Sequence, residues 1–301
     1  MSEGAGARGA VATCPVCPHH CQLLPGHLGR CRARRNLDGA VVPENYGRVT
    51  SLALDPVEKK PLARFMPGTL VLSVGSYGCN LACPFCQNHE IAQVGADGVP
   101  WREVSPEELV GAACSLRDQD PRVAGIAYTY NEPLVGWEYV RDCSQLAHDA
   151  GLVNVLVSNG LAEPETVRPL APLIDAANID LKGFSPSFYE ACGCPGALDR
   201  IKATIGLLAA TPSCHLEVTT LVVPGMNDAE EEVDAAARWL AGLPYHTPEG
   251  DSTGAEELTY HVTRFFPRWH MADRAPTPVA TVYALADVAR RHLRHVRTGN
   301  C

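Results

Sequence analysis

Short β-rich runs alternate with helix-like stretches along most of the chain. Seven runs predict strands: Thr69–Ser76, Val123–Tyr130, Leu152–Ser158, Ala176–Leu181, His215–Val223, Leu258–Phe266 and His295–Thr298. The stretches between them predict helices near 105–117, 134–150, 163–172, 196–210, 229–241 and 278–292. This βαβα order favours a parallel sheet wrapped by helices, with the site at the carboxyl ends of the strands. About six full units predict an α/β fold of the incomplete (β/α)6 barrel type.

Four segments follow from composition and periodicity. They are a flexible tail at 1–12, a Cys-rich metal-binding segment at 13–35, a connecting segment at 36–68 and the partial barrel at 69–301. Residues 246–256 are rich in Pro, Gly, Ser and Thr and predict a surface loop. Two helix starts are also expected, with a cap at Ser105 before Pro106 and another at Asp228.

Charge and targeting signals exclude several classes of protein. The 301 residues carry a net charge of -9, so no global basic field attracts nucleic acid or an anionic membrane. The amino terminus lacks the apolar core of a signal peptide, and no uninterrupted apolar run is long enough to span a bilayer. We therefore expect a cytoplasmic protein that binds neither nucleic acid nor membrane.

Clustered cysteines carry the candidate chemistry. Of 13 cysteines, seven fall in two tight groups: Cys14, Cys17, Cys21 and Cys31, then Cys79, Cys83 and Cys86. Because the cytosol keeps thiols reduced, such clustering indicates metal or redox chemistry rather than a disulfide framework.

The second group, a C-x3-C-x2-C run, directly follows the first predicted barrel strand. Three thiolates can close around one iron-sulfur cube and leave one iron without a protein ligand, whereas structural zinc and electron-transfer clusters normally take four. The alternative is a structural zinc that borrows a fourth ligand such as His89.

This loop resembles that of the radical S-adenosylmethionine (radical SAM) superfamily. The resemblance implies a 4Fe-4S cluster on Cys79, Cys83 and Cys86, whose open iron binds the amino and carboxylate groups of S-adenosylmethionine. It also implies reductive cleavage of that cofactor to a 5'-deoxyadenosyl radical that abstracts a substrate hydrogen. The catalytic acid or base and the substrate stay open.

Further elements of the superfamily core occur in the expected order at strand ends. The resemblance implies cofactor-binding roles for Glu132, Ser158, Asn159, Asp180, Lys182 and Gly225. We also expect His261, Thr263 and Phe265, which share one face of the sixth predicted strand, to line the cavity, with His261 as a further cofactor-binding residue. One departure is Tyr130-Asn131 before Glu132, where the family carries two glycines. The alternatives are a helix-start carboxylate at Glu132, turns at Ser158 and Gly225, and a structural Asp180–Lys182 pair.

Longer strings are similar to the radical SAM component of the AmmeMemoRadiSam system, a family related to pyruvate formate-lyase activating enzyme. They include Ser51 to Leu62, Cys86 to Ile91 and Tyr128 to Pro133. The likeness implies an electron donor such as flavodoxin or ferredoxin and a protein substrate or accessory protein. The competing interpretation is a noncatalytic iron-sulfur or zinc protein that acts as an electron carrier or scaffold.

The first cysteine group offers four soft ligands within 18 residues. Zinc, an auxiliary iron-sulfur cluster and unmetallated thiols all stay open for Cys14, Cys17, Cys21 and Cys31. His19 or His20 is able to replace one cysteine as a ligand.

Overall fold

A computed structural model describes residues 9–245 and 257–301. The predicted surface loop at 246–256 and most of the predicted tail therefore lie outside the described residues. The strands are β1 Ala12–Thr13, β2 Gln22–Leu23, β3 Arg34–Leu37, β4 Ala40–Pro43, β5 Arg48–Val49, β6 Ser51–Pro56, β7 Leu70–Gly75, β8 Arg102–Glu103, β9 Val123–Tyr128, β10 Val153–Ser158, β11 Ala176–Asp180, β12 His215–Val222, β13 Thr259–Arg264 and β14 His295–Gly299.

The helices of the described residues are α1 His89–Ala92, α2 Pro106–Gln119, α3 Trp137–Asp149, α4 Pro164–Val167, α5 Pro186–Ala191, α6 Ala197–Ala209, α7 Glu230–Ala241 and α8 Val279–Ala289. None of them is long and apolar enough to cross a membrane. The start of α2 follows the sequence prediction, because Ser105 and Glu108 form a reciprocal capping box.

The central sheet has the strand order β14-β13-β12-β11-β10-β9-β7-β6. Strands β7 and β9 to β14 run parallel to one another, and β6 adds to the edge of the sheet by pairing antiparallel with β7. Within the described residues β14 and β6 do not pair, so the barrel is not closed. The prediction of an incomplete α/β barrel is confirmed, with β6 as an added strand from the segment that we expected to be only a connection.

Two other sequence expectations were wrong in detail. The helix expected at 163–172 is limited to α4 and a 3-10 turn at Ala171–Leu173, because prolines at 164 and 172 each begin a new turn. Asp228 does not cap α7; its Oδ1 accepts a hydrogen bond from the amide of Gly225 at 2.9 Å. It therefore stabilises the turn before the helix.

Neighbouring residues of strands β9 and β10 belong to two different cores. Ile126 and Leu156 belong to the large core under the helices, whereas Ala127 and Val155 belong to a smaller core on the opposite, inner face of the sheet. Residues 57–65, which we call the floor segment, contribute Val57, Leu62 and Phe65 to this inner core. The floor segment therefore covers part of the inner face.

A buried carboxylate fastens the floor segment to the sheet. Glu217 of β12 accepts hydrogen bonds from the backbone amides of Ala63 and Arg64 at 3.0 and 2.8 Å. His215 and His261 bind the same carboxylate. Burial raises the pKa of Glu217, but these four partners lower it to about 2 overall. Glu217 is therefore ionised under the sheet at neutral pH.

We predict that Glu217→Gln lowers the free energy of unfolding by about 3 kcal/mol at pH 7, because it removes a buried charge from four donors. The folded-state pKa lies below the usual value of 4.5. The contribution is thus present above pH 4.5 and is lost as the pH falls toward 2. Denaturant titration from pH 7 to pH 3 measures this difference, with the exposed Glu231→Gln as control. An unchanged unfolding midpoint in Glu217→Gln would contradict the assignment.

Candidate functional site

The carboxyl ends of the parallel strands surround one cavity of about 1060 Å³, counting the solvent at its open mouth. Its wall includes eight of the residues singled out from sequence: Cys79, Cys83, Cys86, Glu132, Ser158, Asn159, Asp180 and Lys182. They come from four different strand ends, which meet because neighbouring parallel strands finish at the same edge of the sheet.

The cysteine loop starts at Gly78, which adopts a φ of +89°. A side chain there would strike the Cys31 carbonyl oxygen, 2.4 Å from the position of a Cβ atom, so the loop requires glycine. Two backbone hydrogen bonds then shape the loop. The amide of Cys86 donates to the carbonyl of Cys83 at 3.1 Å, and the amide of Gly78 donates to the carbonyl of Ile91 at 2.9 Å. The three cysteines are thereby held beside the end of β7.

The thiols of this loop are poorly solvated. Burial raises the pKa of Cys79 and Cys86, and the negative charges of Glu132 and of the neighbouring cysteines raise the pKa of Cys79 further. The pKa of Cys83 is also raised, mainly by a hydrogen bond with Cys192 and secondly by burial. A cationic group bound by all three sulfurs would favour their thiolate forms.

The cysteine arrangement suits a multi-atom group. Among residues 9–245 and 257–301, no three His, Cys, Asp or Glu side chains already surround a point that would hold one metal ion. Cys79, Cys83 and Cys86 lie together on the wall of the cavity. Each of three thiolates binds a different iron of an iron-sulfur cube, so these donors and the space beside them fit such a group.

Glu132 connects the ends of β9 and β10. Its Oε1 accepts hydrogen bonds from the Ser158 hydroxyl at 2.6 Å and the Leu134 amide at 3.0 Å, and its Oε2 accepts one from the Asn159 amide at 2.8 Å. Burial raises the pKa of Glu132 to about 7, although these three donors act to lower it. A cation brought beside this carboxylate would favour the charged form.

Asp180 and Lys182 form an ion pair of 2.8 Å on the cavity wall, as the structural alternative expected. The backbone carbonyl of Lys182 also accepts a hydrogen bond from Asn227 at 2.6 Å, which ties the end of β11 to the turn after β12. The pair is part of the cavity and is not hidden beneath it.

Tyr130, where the resembled family carries glycine, adopts a φ of +73°, a region that favours glycine. Contacts on three sides hold it there. Its hydroxyl donates to Asp55 at 2.7 Å, Lys60 lies 4.8 Å from the ring centre, and its carbonyl accepts a bond from Asn88 at 2.7 Å. These contacts bind the cavity wall to β6 and to the cysteine loop.

Comparison with known proteins agrees with this arrangement. A family model for the radical SAM superfamily matches residues 73–240, more than half of the chain. An uncharacterized protein of Methanocaldococcus jannaschii is 38% identical over 95% of this chain and 80% of its own length.

The chain belongs to the radical SAM superfamily.

More distant relatives agree on the family. The isethionate sulfite-lyase activating enzyme of Desulfovibrio desulfuricans is 26% identical over 54% of each chain, so the match spans about half of that relative. The structure of a radical SAM methyltransferase from Sphaerobacter thermophilus superposes with a TM-score of 0.56 at 15% identity, covering 88% of this chain and 71% of the other. Members of the superfamily are enzymes that carry out radical chemistry on S-adenosylmethionine, and membership implies a 4Fe-4S cluster.

Two residues expected from sequence at this radical SAM site lie apart from it. Gly225 sits in the exposed turn after β12 with a φ of +74°, and His261 binds Glu217 beneath the cavity. Neither is among the residues that line the cavity. Of the three residues expected on one face of β13 and its continuation, Thr263 lines the cavity, His261 does not, and Phe265 belongs to the large core.

The amino-terminal cysteines lie directly against the radical SAM loop. Besides the contact of Cys31 with Gly78, a ring nitrogen of His19 lies 2.8 Å from the carbonyl oxygen of Asn80. The sulfurs of Cys21 and Cys31 both lie within 4 Å of the position that a Cβ on Gly29 would occupy. Burial raises the pKa of Cys17 to about 12 and that of Cys31 to about 11.

Sequence reasoning missed the roles of Asp55, Lys60 and Tyr130. The polar run from Asp55 to Lys60 was visible, but it looked like part of a surface connection. Lys60 is in fact 3% exposed and pairs with Asp55 at 2.9 Å. An acidic residue inside a β-rich run, followed by two lysines, was the available signal.

We predict that Glu132→Gln weakens S-adenosylmethionine binding about ten- to a hundredfold, because it removes the charge from the carboxylate that we expect to bind the cofactor's amino group. Titration of the cofactor against the electron resonance signal of the reduced cluster measures the affinity. Ser158→Ala, which removes one donor to Glu132 and leaves its charge, should have the smaller effect. Parental affinity in Glu132→Gln together with weak binding in Ser158→Ala would overturn the role of Glu132.

Proposed function

We propose that Cys79, Cys83 and Cys86 hold a 4Fe-4S cluster with one open iron, and that S-adenosylmethionine binds in the cavity beside it. The observation that carries this proposal is that three cysteines and the polar residues of three further strand ends line one cavity. When bound, the cluster would supply the electron for reductive cleavage of S-adenosylmethionine to methionine and a 5'-deoxyadenosyl radical able to take a hydrogen atom from the substrate.

Different residues of the cavity bind different groups of the cofactor. Glu132 faces the cationic amino group, and Ser158 and Asn159 orient its carboxylate through the bonds described above. Lys182 offers a cation to the methionine carboxylate, with Asp180 fixing its position. Apolar side chains of Leu81, Phe85 and Ala92 line the cluster side of the cavity and exclude water from the reacting bond.

The branch, location and partners of this enzyme are part of the proposal and rest on the sequence resemblance described above. We infer membership of the AmmeMemoRadiSam branch, a cytoplasmic location, and reduction by a small donor such as flavodoxin or ferredoxin. The match to an activating enzyme supports a protein segment as the substrate. A noncatalytic electron carrier or scaffold is the less supported function, because neither requires Glu132, Asp180 and Lys182 beside the cysteines.

We further propose that Cys14, Cys17, Cys21 and Cys31 bind a separate metal, either zinc or an auxiliary iron-sulfur cluster. The sulfurs of Cys21 and Cys31, which both lie within 4 Å of the same point beside Gly29, support this assignment. So does the small size of the apolar cluster around Cys14, which contains Val16 and Leu23 as its other buried members. A bound metal would supply stability that this segment cannot obtain from burial alone.

Replacing Cys79, Cys83 and Cys86 together with Ala should remove the absorbance of the cluster that they bind and abolish the formation of 5'-deoxyadenosine from S-adenosylmethionine under dithionite. The physical reason is loss of every protein ligand to the cluster. Cys114→Ala and Cys301→Ala, whose thiols lie outside the cavity, should retain both properties. Cofactor cleavage by the triple variant would refute the proposed function, and spectra that do not respond to S-adenosylmethionine in the parent would favour the electron carrier.

Metal analysis of the same folded triple variant tests the amino-terminal site. We expect about one zinc ion, or the iron and sulfide of one cluster, to remain bound, because Cys14, Cys17, Cys21 and Cys31 are intact. Replacing these four cysteines with Ala should remove that metal and lower the unfolding temperature. A folded triple variant that contains neither zinc nor iron would contradict the second site.

A further inference from the structure

Asn80 directly follows Cys79 in the cysteine loop and is 1% exposed. Its side chain bonds to the residues that follow β10. Oδ1 accepts a hydrogen bond from Nδ2 of Asn159 at 2.9 Å, and Nδ2 donates to the carbonyl of Leu161 at 2.6 Å. Because buried polar groups keep their partners, these bonds fix the two loops relative to each other. Asn80 therefore fastens the turn at 158–161 to the cysteine loop.

Leu161 fixes the orientation of both asparagine side chains. Its carbonyl, which only accepts, faces Nδ2 of Asn80, and its amide, which only donates, bonds to Oδ1 of Asn159 at 2.8 Å. A flip of either side chain would set two donors or two acceptors against each other. Nδ2 of Asn159 consequently points to Oδ1 of Asn80 and to the sulfur of Cys79, 3.5 Å away.

Asn80 also contacts the amino-terminal cysteine group. A ring nitrogen of His19 lies 2.8 Å from the carbonyl oxygen of Asn80. Burial raises the pKa of Cys17, and a hydrogen bond from the Asn80 side chain to the Cys17 sulfur opposes that rise. The side-chain amide has two N–H groups, so it can serve Cys17 and Leu161 together. Asn80 thus lies between the two groups of cysteines.

Asn159 connects this contact with the cavity. It lines the cavity, and its backbone amide donates to Oε2 of Glu132 at 2.8 Å. A shift of the turn at 158–161 would therefore move a donor of the buried carboxylate. The hydrogen bonds form a chain from Cys17 through Asn80 and Asn159 to Glu132, although none of the described residues 9–35 lines the cavity.

We propose that Asn80 is a positioning residue for cofactor binding, and that Cys17 and His19 hold it in place. This inference rests on the proposed function, because it takes S-adenosylmethionine to bind at Glu132 and Asn159. An ordered amino-terminal cysteine group keeps Asn80 bonded to Asn159, and Asn159 stays in contact with Glu132. When that group is disturbed, the turn at 158–161 loosens and the affinity for the cofactor falls.

Backbone hydrogen exchange tests the chain of contacts without the cofactor. Mass spectrometry of the anaerobic parent protein measures exchange at the amides of residues 159–161, which bond to side chains of the site. This exchange should be about fivefold faster in Asn80→Ala and in Cys17→Ala, as expected for the loss of one neutral hydrogen bond. Circular dichroism shows whether each variant is folded. His19→Ala, which removes the bond to the Asn80 carbonyl, replaces a variant that does not fold and should change exchange in the same direction.

Asn154→Ala and Cys143→Ala are the matched controls. Asn154 is a buried asparagine with two side-chain hydrogen bonds at the opposite end of β10, and Cys143 is a buried thiol on α3. Neither lines the cavity. Both substitutions should leave exchange at 159–161 and cofactor affinity at parental values. A control that speeds exchange as much as Asn80→Ala overturns the specific role of Asn80.

Cofactor affinity gives the second readout. S-adenosylmethionine is titrated against the electron resonance signal of the reduced cluster. Asn80→Ala should weaken binding about fivefold. Cys17→Ala should weaken binding in the parent background but not in Asn80→Ala, because both substitutions break the same chain of contacts. Additive effects of the two substitutions overturn the proposed route through Asn80.

The outcomes separate this inference from the proposed function. If S-adenosylmethionine leaves the signal of the parent protein unchanged, the proposed function fails, while exchange at 159–161 still tests the chain of contacts. Parental exchange in Asn80→Ala overturns the chain. Parental cofactor affinity in Asn80→Ala, in a protein whose parent binds the cofactor, overturns the positioning role.

Discussion

The buried carboxylate of Glu132 is the interaction on which the site depends. Glu132 follows β9, but it accepts hydrogen bonds from the end of β10. The donors are the hydroxyl of Ser158 and the backbone amide of Asn159. Its charge also reaches Cys79 on the cysteine loop after β7. Three strand ends are thus joined at one group. Because burial disfavours its ionised form, the carboxylate is prepared for a cationic partner.

Much of this architecture was accessible from sequence because it is local. The seven parallel strands, the capping box at Ser105 and the cysteine spacing each depend on residues close together in the chain. Strand β6 was missed because an antiparallel partner of β7 has no helix before it to mark a repeating unit. The floor segment was missed because its anchor, Glu217, lies about 150 residues further along the chain.

Site residues, too, could be predicted where their placement depends on local sequence and not where it depends on distant contacts. Residues at strand ends, such as Glu132 and Asp180, could be located because parallel strands finish at one edge. The position along a strand was harder to predict, as His261 shows. Its ring bonds to Glu217 and does not line the cavity, whereas Thr263, two residues further along β13, does. The long-range contacts of Tyr130 with Asp55 and Lys60 have no local signature.

The contact between Cys31 and Gly78 has a consequence for the order of assembly. The amino-terminal segment covers the cysteine loop on one side, with His19 and Cys31 packed against its backbone. Iron and sulfide for the proposed cluster on Cys79, Cys83 and Cys86 are therefore blocked on that side, and the opening beside these cysteines is the cavity in which we propose that the cofactor binds. We expect cluster insertion to precede cofactor binding during maturation, and S-adenosylmethionine present too early to slow it.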